Sequence, residues 1–585
     1  MEKPDDSSQQ QPDEAGKQTQ GFLVSNGSPA PPLGPPPPGS YPVAPPAQQS
    51  MWEDSEASEA SYFPNQVPRF NLQPQQPLHG ILKNQPPPSQ LQQQQQQQQQ
   101  GFKSPQQLLL QQQQQQQFQA PQFGSTSAPF HQGVQVKQQS SYALNDKSEE
   151  RTNLGNTKLV MGLLSELWIV NLFFILGGTW LKTFYLGDLQ EYEDYELWNY
   201  GCYWKLGLLL PLPYTLICFF GLTLPFRTPK FLNYEGEKKR RVDNLYILTV
   251  TKGDNREAVY RAWNAHKHLE RLHPAIRVHV LTDEPYFFEG INCYTCPKAF
   301  TSGCSKYKAR ALEWYRQTMN FTEYDWVLHL DEESVIDDES VKRIMEFIFY
   351  EKDYHFGQGV IFYNQYKYWT NWIFTVADAL RVGDDVSRFQ LQYTYFHRPV
   401  FGAHGSFLLN NGLVENAVTW DLGSLTEDYQ FAMKAWDRGF RCGKIAGIVR
   451  EQSPLDLIGF MKQRRRWYVG IRRLPNFLPK LWSFFWSLGI VSLFATIASI
   501  GLGFKFHVGT PRWMALLIDF NFINFVYLYI LGVLLQDLDK GVNPLLILVR
   551  IPITILVQFI AVVLEGCAVM YGIIFPPADF DVIKK

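Results

Sequence analysis

The stretch WVLHLDEESVIDDES, Trp326–Ser340, runs an apolar strand straight into carboxylates. Asp331, Glu332 and Glu333 stand side by side, and Asp337, Asp338 and Glu339 follow closely. Adjacent like charges repel and resist leaving water, so such a cluster at the end of a buried strand needs something to hold it. Asp337–Glu339 read as the N-terminal acids of the helix that follows, DESVKRIMEFIFYEKD, where the helix dipole favours negative charge. Asp331 and Glu333 come too early for that role. Two acids one residue apart can reach a single hard cation. Magnesium or manganese needs only one or two protein carboxylates when a substrate diphosphate completes its shell.

Around that stretch, strands and helices alternate. NLYILTVT (244–251) is a short apolar strand, NREAVYRAWNAHKHLERL has apolar positions at helical spacing, and IRVHVLTDE is a second strand ending at Asp283. SKYKARALEWYRQTMN reads as a helix and DWVLHLD as a strand. The alternation predicts an α/β domain over residues 242–454, a mostly parallel sheet wrapped by helices. Ligands of such sheets sit beyond the carboxyl ends of the strands. Asp254, Asp283 and Asp331 all fall at that edge, which marks it as the expected site.

The 585-residue chain opens differently. Residues 1–155 carry PAPPLGPPPPGSYPVAPP and the glutamine runs Gln92–Gln100 and Gln111–Gln117, too little apolar surface to offset chain entropy, so disorder is expected there. No basic segment followed by an apolar one at Met1 marks a secretory signal. Five apolar runs, 162–181, 206–224, 481–504, 513–535 and 545–575, predict two transmembrane helices over 160–226 and about three over 481–575. Glu166, Asp519, Arg550 and Glu565 within or near them predict faces turned to neighbouring helices. Arg227, Lys230, Lys238, Lys239, Arg240 and Arg241 follow the second run, and six further basic residues between Arg464 and Lys480 precede the third. The first hairpin loop, GDLQEYEDYE, is acidic, so the positive-inside bias places the polar block and the N-terminus in the cytosol. Cys293, Cys296 and Cys304 lack a fourth ligand at a zinc-finger spacing, and free thiols are the expectation for the seven cysteines. A net charge of −2 says little about partners, and no feature calls for nucleic acid.

Two further motifs bear on chemistry. SLTEDYQFAMKAWDRGF places Glu427 and Asp428 at the start of an amphipathic helix with Thr426 as its cap, a pattern that dipole compensation alone would also produce. GFMKQRRRWYVGIRR, within residues 455–480, carries Gln463, three arginines and Trp467, and suits a basic helix lying at an anionic membrane surface as well as a ligand site.

Taken in order, Asp283 in LTDE, Asp331-Glu332-Glu333, Thr426-Glu427-Asp428 and Gln463-Arg464-Arg465-Arg466-Trp467 resemble the signature of the membrane-embedded family-two glycosyltransferases, which include cellulose and hyaluronan synthases. The resemblance covers roughly Asn244–Pro475 and the flanking spans. DNLYILTVTKGDN, SGCSKYKARALEWYR, AHGSFLLNN and QRRRWYVGIRR look closer still to the egghead-type β-1,4-mannosyltransferases that act on glucosylceramide. The chain departs from that pattern in its glutamine-rich tail and in Glu333, where synthases more often carry Asp.

The resemblance implies a GT-A-like catalytic domain and an inverting, metal-dependent transfer of mannose from GDP-mannose to a glucosyl lipid, in a multi-pass protein of Golgi, ER or plasma membrane. It implies Asp428 as the base that deprotonates the acceptor, with Glu427 beside it. Asp331 and Glu333 would hold Mn2+ or Mg2+. Asp283, Asp254, Lys308, Asp331 and Arg466 would contact the donor, Arg466 through two phosphate oxygens. Gln463, Trp467 and His404 would contact the acceptor, the Trp467 indole offering an apolar face to a sugar. A helix-surface role is the commoner one for a lysine placed like Lys308, and an ordinary loop role fits His404 equally. Two competing readings are a processive polysaccharide synthase using a UDP-sugar, distinguished by product size, and a non-enzymatic transporter or scaffold, which leaves four ordered motifs unexplained.

Overall fold

The structure is a computed structural model and describes residues 154–186, 203–225, 234, 236–503 and 512–577. The Pro/Gln-rich tail, the acidic hairpin loop, Cys202, Arg227, Lys230 and the end of the third apolar run lie outside the described residues.

The first long apolar run is broken. Helix α1 (Thr157–Leu164) stops at Ser165, and α2 (Leu167–Leu181) begins after Glu166. The second run is shorter as helix than its apolar length. Pro211 and Pro213 remove amide donors, so only α3 (Leu212–Thr223) continues beyond a tighter turn of helix at Gly207–Leu209. Four helices among the described residues are long and apolar enough to cross a membrane, at 167–186, 477–495, 512–539 and 544–574; Gly207–Thr223 is shorter. The last run is one continuous helix of 31 residues with Pro552 inside it.

The polar block forms an eight-stranded sheet in the order β3-β2-β1-β4-β7-β6-β8-β5. The predicted strands appear at their expected places as β1 (Asn244–Thr251), β2 (Ile276–Thr282) and β4 (Asp325–Asp331). Between them lie α4 (Arg256–His266), β3 (Cys293–Thr295) and α5 (Tyr307–Met319). Then follow β5 (Val335–Ile336), α6 (Asp338–Tyr350), β6 (Phe356–Phe362), α7 (Trp372–Asp385), β7 (Leu408–Asn411), α8 (Gly412–Val418), α9 (Glu427–Asp437) and β8 (Cys442–Arg450). Three helices close the described chain after α10 (Leu457–Arg473): α11 (Phe477–Gly503), α12 (Arg512–Asp539) and α13 (Pro544–Ile574). Asp337 caps α6, its carboxylate accepting the Ser340 N–H at 2.9 Å, as expected of the acids after Ile336.

The sheet is mixed rather than mostly parallel. β1 pairs in parallel with both β2 and β4, but β7 runs antiparallel between β4 and β6. This reversal positions the site. Register places Val250 beside Asp331 and Thr251 beside Thr282, so the carboxyl ends of β1, β2 and β4 are level. Because β7 is reversed, with Leu408 opposite His329, it is the loop before β7, containing His404–Ser406, that reaches the same edge.

Both faces of the sheet are covered. Along β1, Leu245 and Ile247 enter one apolar cluster while Tyr246, Leu248 and Val250 enter another, the period of two of a strand buried on both sides. The first cluster continues from Trp326 and Leu328 into Ile175 of α2, Leu222 of α3 and Leu528 of α12, so sheet and long helices share one core. Arg450, fully buried at the end of β8, seals the junction. Its guanidinium donates to both oxygens of Asp539 (2.7 and 2.8 Å) and to Thr157 Oγ1 (2.8 Å), tying the end of α12 and the start of α1 to the sheet.

Candidate active site

A cavity of about 1020 Å³ opens at the level carboxyl edge, and every site residue singled out from the sequence lines it: Asp254, Asp283, Lys308, Asp331, Glu333, His404, Glu427, Asp428, Gln463, Arg466 and Trp467. Their environments differ, and with them what each can do.

Lys308 is not a surface lysine. It sits in the first turn of α5 and its ammonium is ion-paired with Asp331. Burial works against its charge, but Asp331, Glu427 and Asp428 outweigh that and hold its pKa above the ordinary lysine value. A cation of the chain's own therefore pairs with the strand-end Asp331. Glu332, which sequence reasoning left without a role, turns back toward β1. It accepts hydrogen bonds from Thr251 Oγ1 and, at 3.3 Å, from Asn255 Nδ2. Burial, then repulsion from Glu333, pushes its carboxyl up to about 7.

Asp283 lies against Arg310 of α5, whose Nε donates to Oδ1 at 2.9 Å while Nη2 donates to the Asp283 carbonyl at 2.9 Å. Part of its hydrogen-bonding capacity is thus already committed inside the protein. Asp254 is exposed on the turn after β1, 3.3 Å from the Lys252 ammonium. That turn needs glycine at 253, where φ is +100° and a Cβ would lie 2.2 Å from the Tyr286 ring.

Thr426 stands at the N-cap position of α9 without a side-chain capping bond, contrary to expectation. Its side chain faces α10, where a Cβ at Gly470 would come within 2.6 Å of it. The TED segment is thus packed onto the QRRRW helix. Glu427 is buried, and burial followed by repulsion from Asp428 raises its carboxyl to about 7. Burial raises Asp428 as well, against the pull of Lys308 and Arg466. A carboxylate held above its usual range is a better base near neutral pH.

The α10 arginines divide their labour. Arg464 and Arg465 are buried, so they do not form a lipid-facing stripe. Arg464 donates to Asp378 of α7 (2.5 Å) and Glu565 of α13 (2.6 Å). Arg464 and Arg466 both line the cavity, but it is Arg466 whose charge acts on Glu427 and Asp428, with Nη1 also donating to the Leu425 carbonyl at 3.4 Å. Trp467 does not present a free ring. The guanidinium carbons of Arg381 and Arg464 lie 4.2 and 4.6 Å from its centroid, so arginines already occupy aromatic surface expected for a sugar. Gln463 is buried, its Oε1 accepting from Arg464 Nη1 at 2.7 Å.

Away from the carboxylates the cavity runs between α3, α11, α12 and α13, past Trp482, Trp486, Phe525 and Phe559. At its far end Asp519 is paired with Lys182 and accepts from Thr183 Oγ1 at 2.8 Å. Arg550 pairs with Asp537 at 2.6 Å, so these two charges and Glu565 face protein as expected, whereas Glu166 is exposed. The cavity is thus acidic at the sheet and mostly apolar among the helices, where Lys182, Asp519, Gln558 and Glu565 are among the exceptions.

The residues present fit a divalent cation in kind. Asp331 and Glu333 supply hard oxygen donors to the cavity. Among the described residues no group of three or more His, Cys, Asp or Glu is placed to hold an ion. A cation here would therefore draw the rest of its ligands from substrate or water. The six described cysteines are free thiols.

A mixed sheet delivering paired acids, a half-buried lysine and an arginine to one cavity defines a group-transfer enzyme of the GT-A-like glycosyltransferase kind. A family model described as glycosyl transferase family group 2 matches residues 326–536. The β-1,4-mannosyltransferase egh of Drosophila melanogaster is 29% identical over 398 residues, 64% of this chain and 85% of the relative. The β-1,4-mannosyltransferases bre-3 of Caenorhabditis elegans and Caenorhabditis briggsae are each 32% identical over 49% of this chain, covering 65% and 66% of the relatives. A solved mannosyltransferase, PcManGT from Pyrobaculum calidifontis in complex with GDP-Man and Mn2+, superposes over 64% of this chain and 99% of its own at 11% identity, with a TM-score of 0.33, a likeness too slight to bear on this chain's fold or ligands. Over residues 326–536 the chain matches the family-two glycosyltransferase model, and beyond that stretch it is similar to the egghead-type relatives.

Proposed function

We propose that this enzyme transfers mannose from GDP-mannose to a glucosyl lipid such as glucosylceramide, inverting at the anomeric carbon to form a β-1,4 linkage, at the cytosolic face of a membrane it crosses several times. The observation that carries the reading is the two-part cavity, acidic beside Asp331 and Asp428 and mostly apolar between the long helices. A sugar attached to a lipid needs both environments in one continuous space. The mannosyl donor is supported by what the relatives are named for.

In this reading Asp428 accepts the proton of the attacking hydroxyl, and its raised pKa suits it to that task near neutral pH. Lys308 and Arg466 bring positive charge to the donor diphosphate, the guanidinium gripping two oxygens at once. A divalent cation, Mn2+ or Mg2+, held by Asp331 and Glu333, would stabilise the departing nucleoside diphosphate. Asp254 and Asp283 flank the nucleotide side, and Gln463 and His404 the acceptor side. Trp467 acts through its stacked arginines rather than as a sugar platform.

The test is a transfer assay on purified protein in detergent, offering glucosylceramide with radiolabelled GDP-mannose, UDP-glucose and UDP-N-acetylglucosamine in parallel. One mannose per lipid, lost on chelation and restored by manganese or magnesium, is the expected result. Transfer from a UDP-sugar, or a product of polymer size, would replace the reading with a polysaccharide synthase.

A further inference from the structure

His404 reaches the cavity on the loop before β7, and the loop is clamped from below by a fully buried glutamine. Gln358 donates from Nε2 to the carbonyls of His404 (3.1 Å) and Ser406 (3.2 Å), and its Oε1 accepts the His404 N–H at 3.3 Å. The next residue, Gly405, lies against the proposed base, since a Cβ there would stand 3.0 Å from Asp428 Oδ2 and 3.2 Å from Lys308 Nζ.

The imidazole is fixed as well as the backbone. Its Nε2 is 2.7 Å from Asp385 Oδ1, and its ring centroid lies 4.5 Å from that of Phe389. Asp385, the last residue of α7, is 1% exposed and has no freedom to turn. Its other oxygen accepts the Ile361 N–H at 2.7 Å. That amide is available because β7 pairs with β6 only as far as Gln358, leaving Ile361 without a strand partner on that side. Burial opposes the charge of Asp385, but His404, Lys444 and the Ile361 amide outweigh it and hold the carboxyl below its usual range. A carboxylate has only acceptor sites, so the ring nitrogen facing it carries the proton. With a single proton on the ring, the lone pair is then on Nδ1. That atom makes no hydrogen bond with the described residues and is not sealed in the interior, and the ring lines the cavity.

We propose that Asp385 is a positioning residue that fixes the tautomer of His404, so that Nδ1 accepts a hydrogen bond from a hydroxyl of the acceptor sugar next to Asp428. The inference rests on reading this cavity as a sugar-acceptor site and adds to it a residue that sequence reasoning did not single out.

Asp385→Asn separates this role from mere packing. The Ile361 N–H would hold the Asn oxygen, turning the amide NH2 toward His404 Nε2 and forcing the proton onto Nδ1. With a short-chain β-glucosyl lipid, the expected result is an acceptor KM raised about tenfold or more with the donor KM within about twofold of the parent. His404→Asn keeps a polar atom at the Nδ1 position and His404→Gln at the Nε2 position, so the Asn variant should retain the lower acceptor KM. Equal rises in both KM values, no rise at all, or a better His404→Gln would overturn the proposal. Histidine-ring 15N NMR of the full chain, with His404 assigned by its Asn variant, tests the pair without any acceptor. Nδ1 unprotonated in the parent and protonated in Asp385→Asn is expected, and a parent ring protonated at Nδ1 would sink it. Should the parent transfer nothing to glucosyl lipids, the functional reading fails while the NMR result still decides the pair.

Discussion

Charge is buried in two places in this molecule, and the two are built on opposite plans. At the junction between sheet and helices, Arg450 meets Asp539 and Arg464 meets Asp378 and Glu565, each arginine bound by carboxylates at 2.5–2.8 Å. Asp331, Glu332, Glu333, Glu427 and Asp428 line the cavity together with Lys308 and Arg466, and Asp331, Glu427 and Asp428 act directly on Lys308. At the junction each of these carboxylates is bound directly by an arginine, so its charge is paired within the protein. The cavity holds more acid than base, and two of its carboxyls rise to about 7 rather than ionising fully. Balanced burial locks a structure, whereas an unbalanced cluster is poised for a cationic ligand or a proton.

The largest expected effect breaks the unbalanced side. Asp428→Asn should lower transfer roughly 10²–10⁴-fold, with donor affinity in equilibrium binding kept, because only the base is lost. Parallel loss of donor affinity would refute that assignment. On the balanced side, Arg450→Met strands Asp539 without its buried partner and should cost about 3–5 kcal/mol, read as a lowered unfolding midpoint in detergent. The folded fraction should keep its acceptor KM. If Arg450→Met changes catalysis without stability, the two regions are not separate in the way drawn here.

A smaller effect concerns Trp467. If its stacking with Arg381 and Arg464 is its role, Trp467→Leu should lower stability by about 1–2 kcal/mol while leaving the acceptor KM nearly unchanged. A selective rise in that KM would restore the indole as a sugar platform. The gentlest probe is pH. Glu427 has a folded pKa of about 7, above its value of 4.5 in an open chain. The folded state therefore holds the proton more tightly than the unfolded one. This contribution is fully present below about pH 4.5 and fades as pH rises through about 7. Unfolding midpoints measured from pH 5 to 8 should decline more steeply in the parent than in Glu427→Gln.

Much of this was legible in the linear chain. Strand periodicity placed β1 and β4 at their observed residues, because strands buried on both faces are nearly continuous apolar runs. The four ordered motifs named the family and identified residues that all reach one cavity. What the chain alone left open is how its charges pair, since pairing depends on partners far away in sequence. Lys308 and Thr426 read as surface and cap residues until packing against Asp331 and Gly470 gave them other roles. Glu332 lies inside a motif that gave it no role, Arg381 and Asp385 lie in none, and only the fold shows what the three touch. The reversed β7 explains much of this. A strand's direction within a sheet leaves no mark on its own residues, yet it decides which of its flanking loops meets the carboxylates. The ordered motifs marked out the candidate residues because each is a local run of sequence, and the tertiary structure decided their partners and their aim because those depend on chain segments far apart.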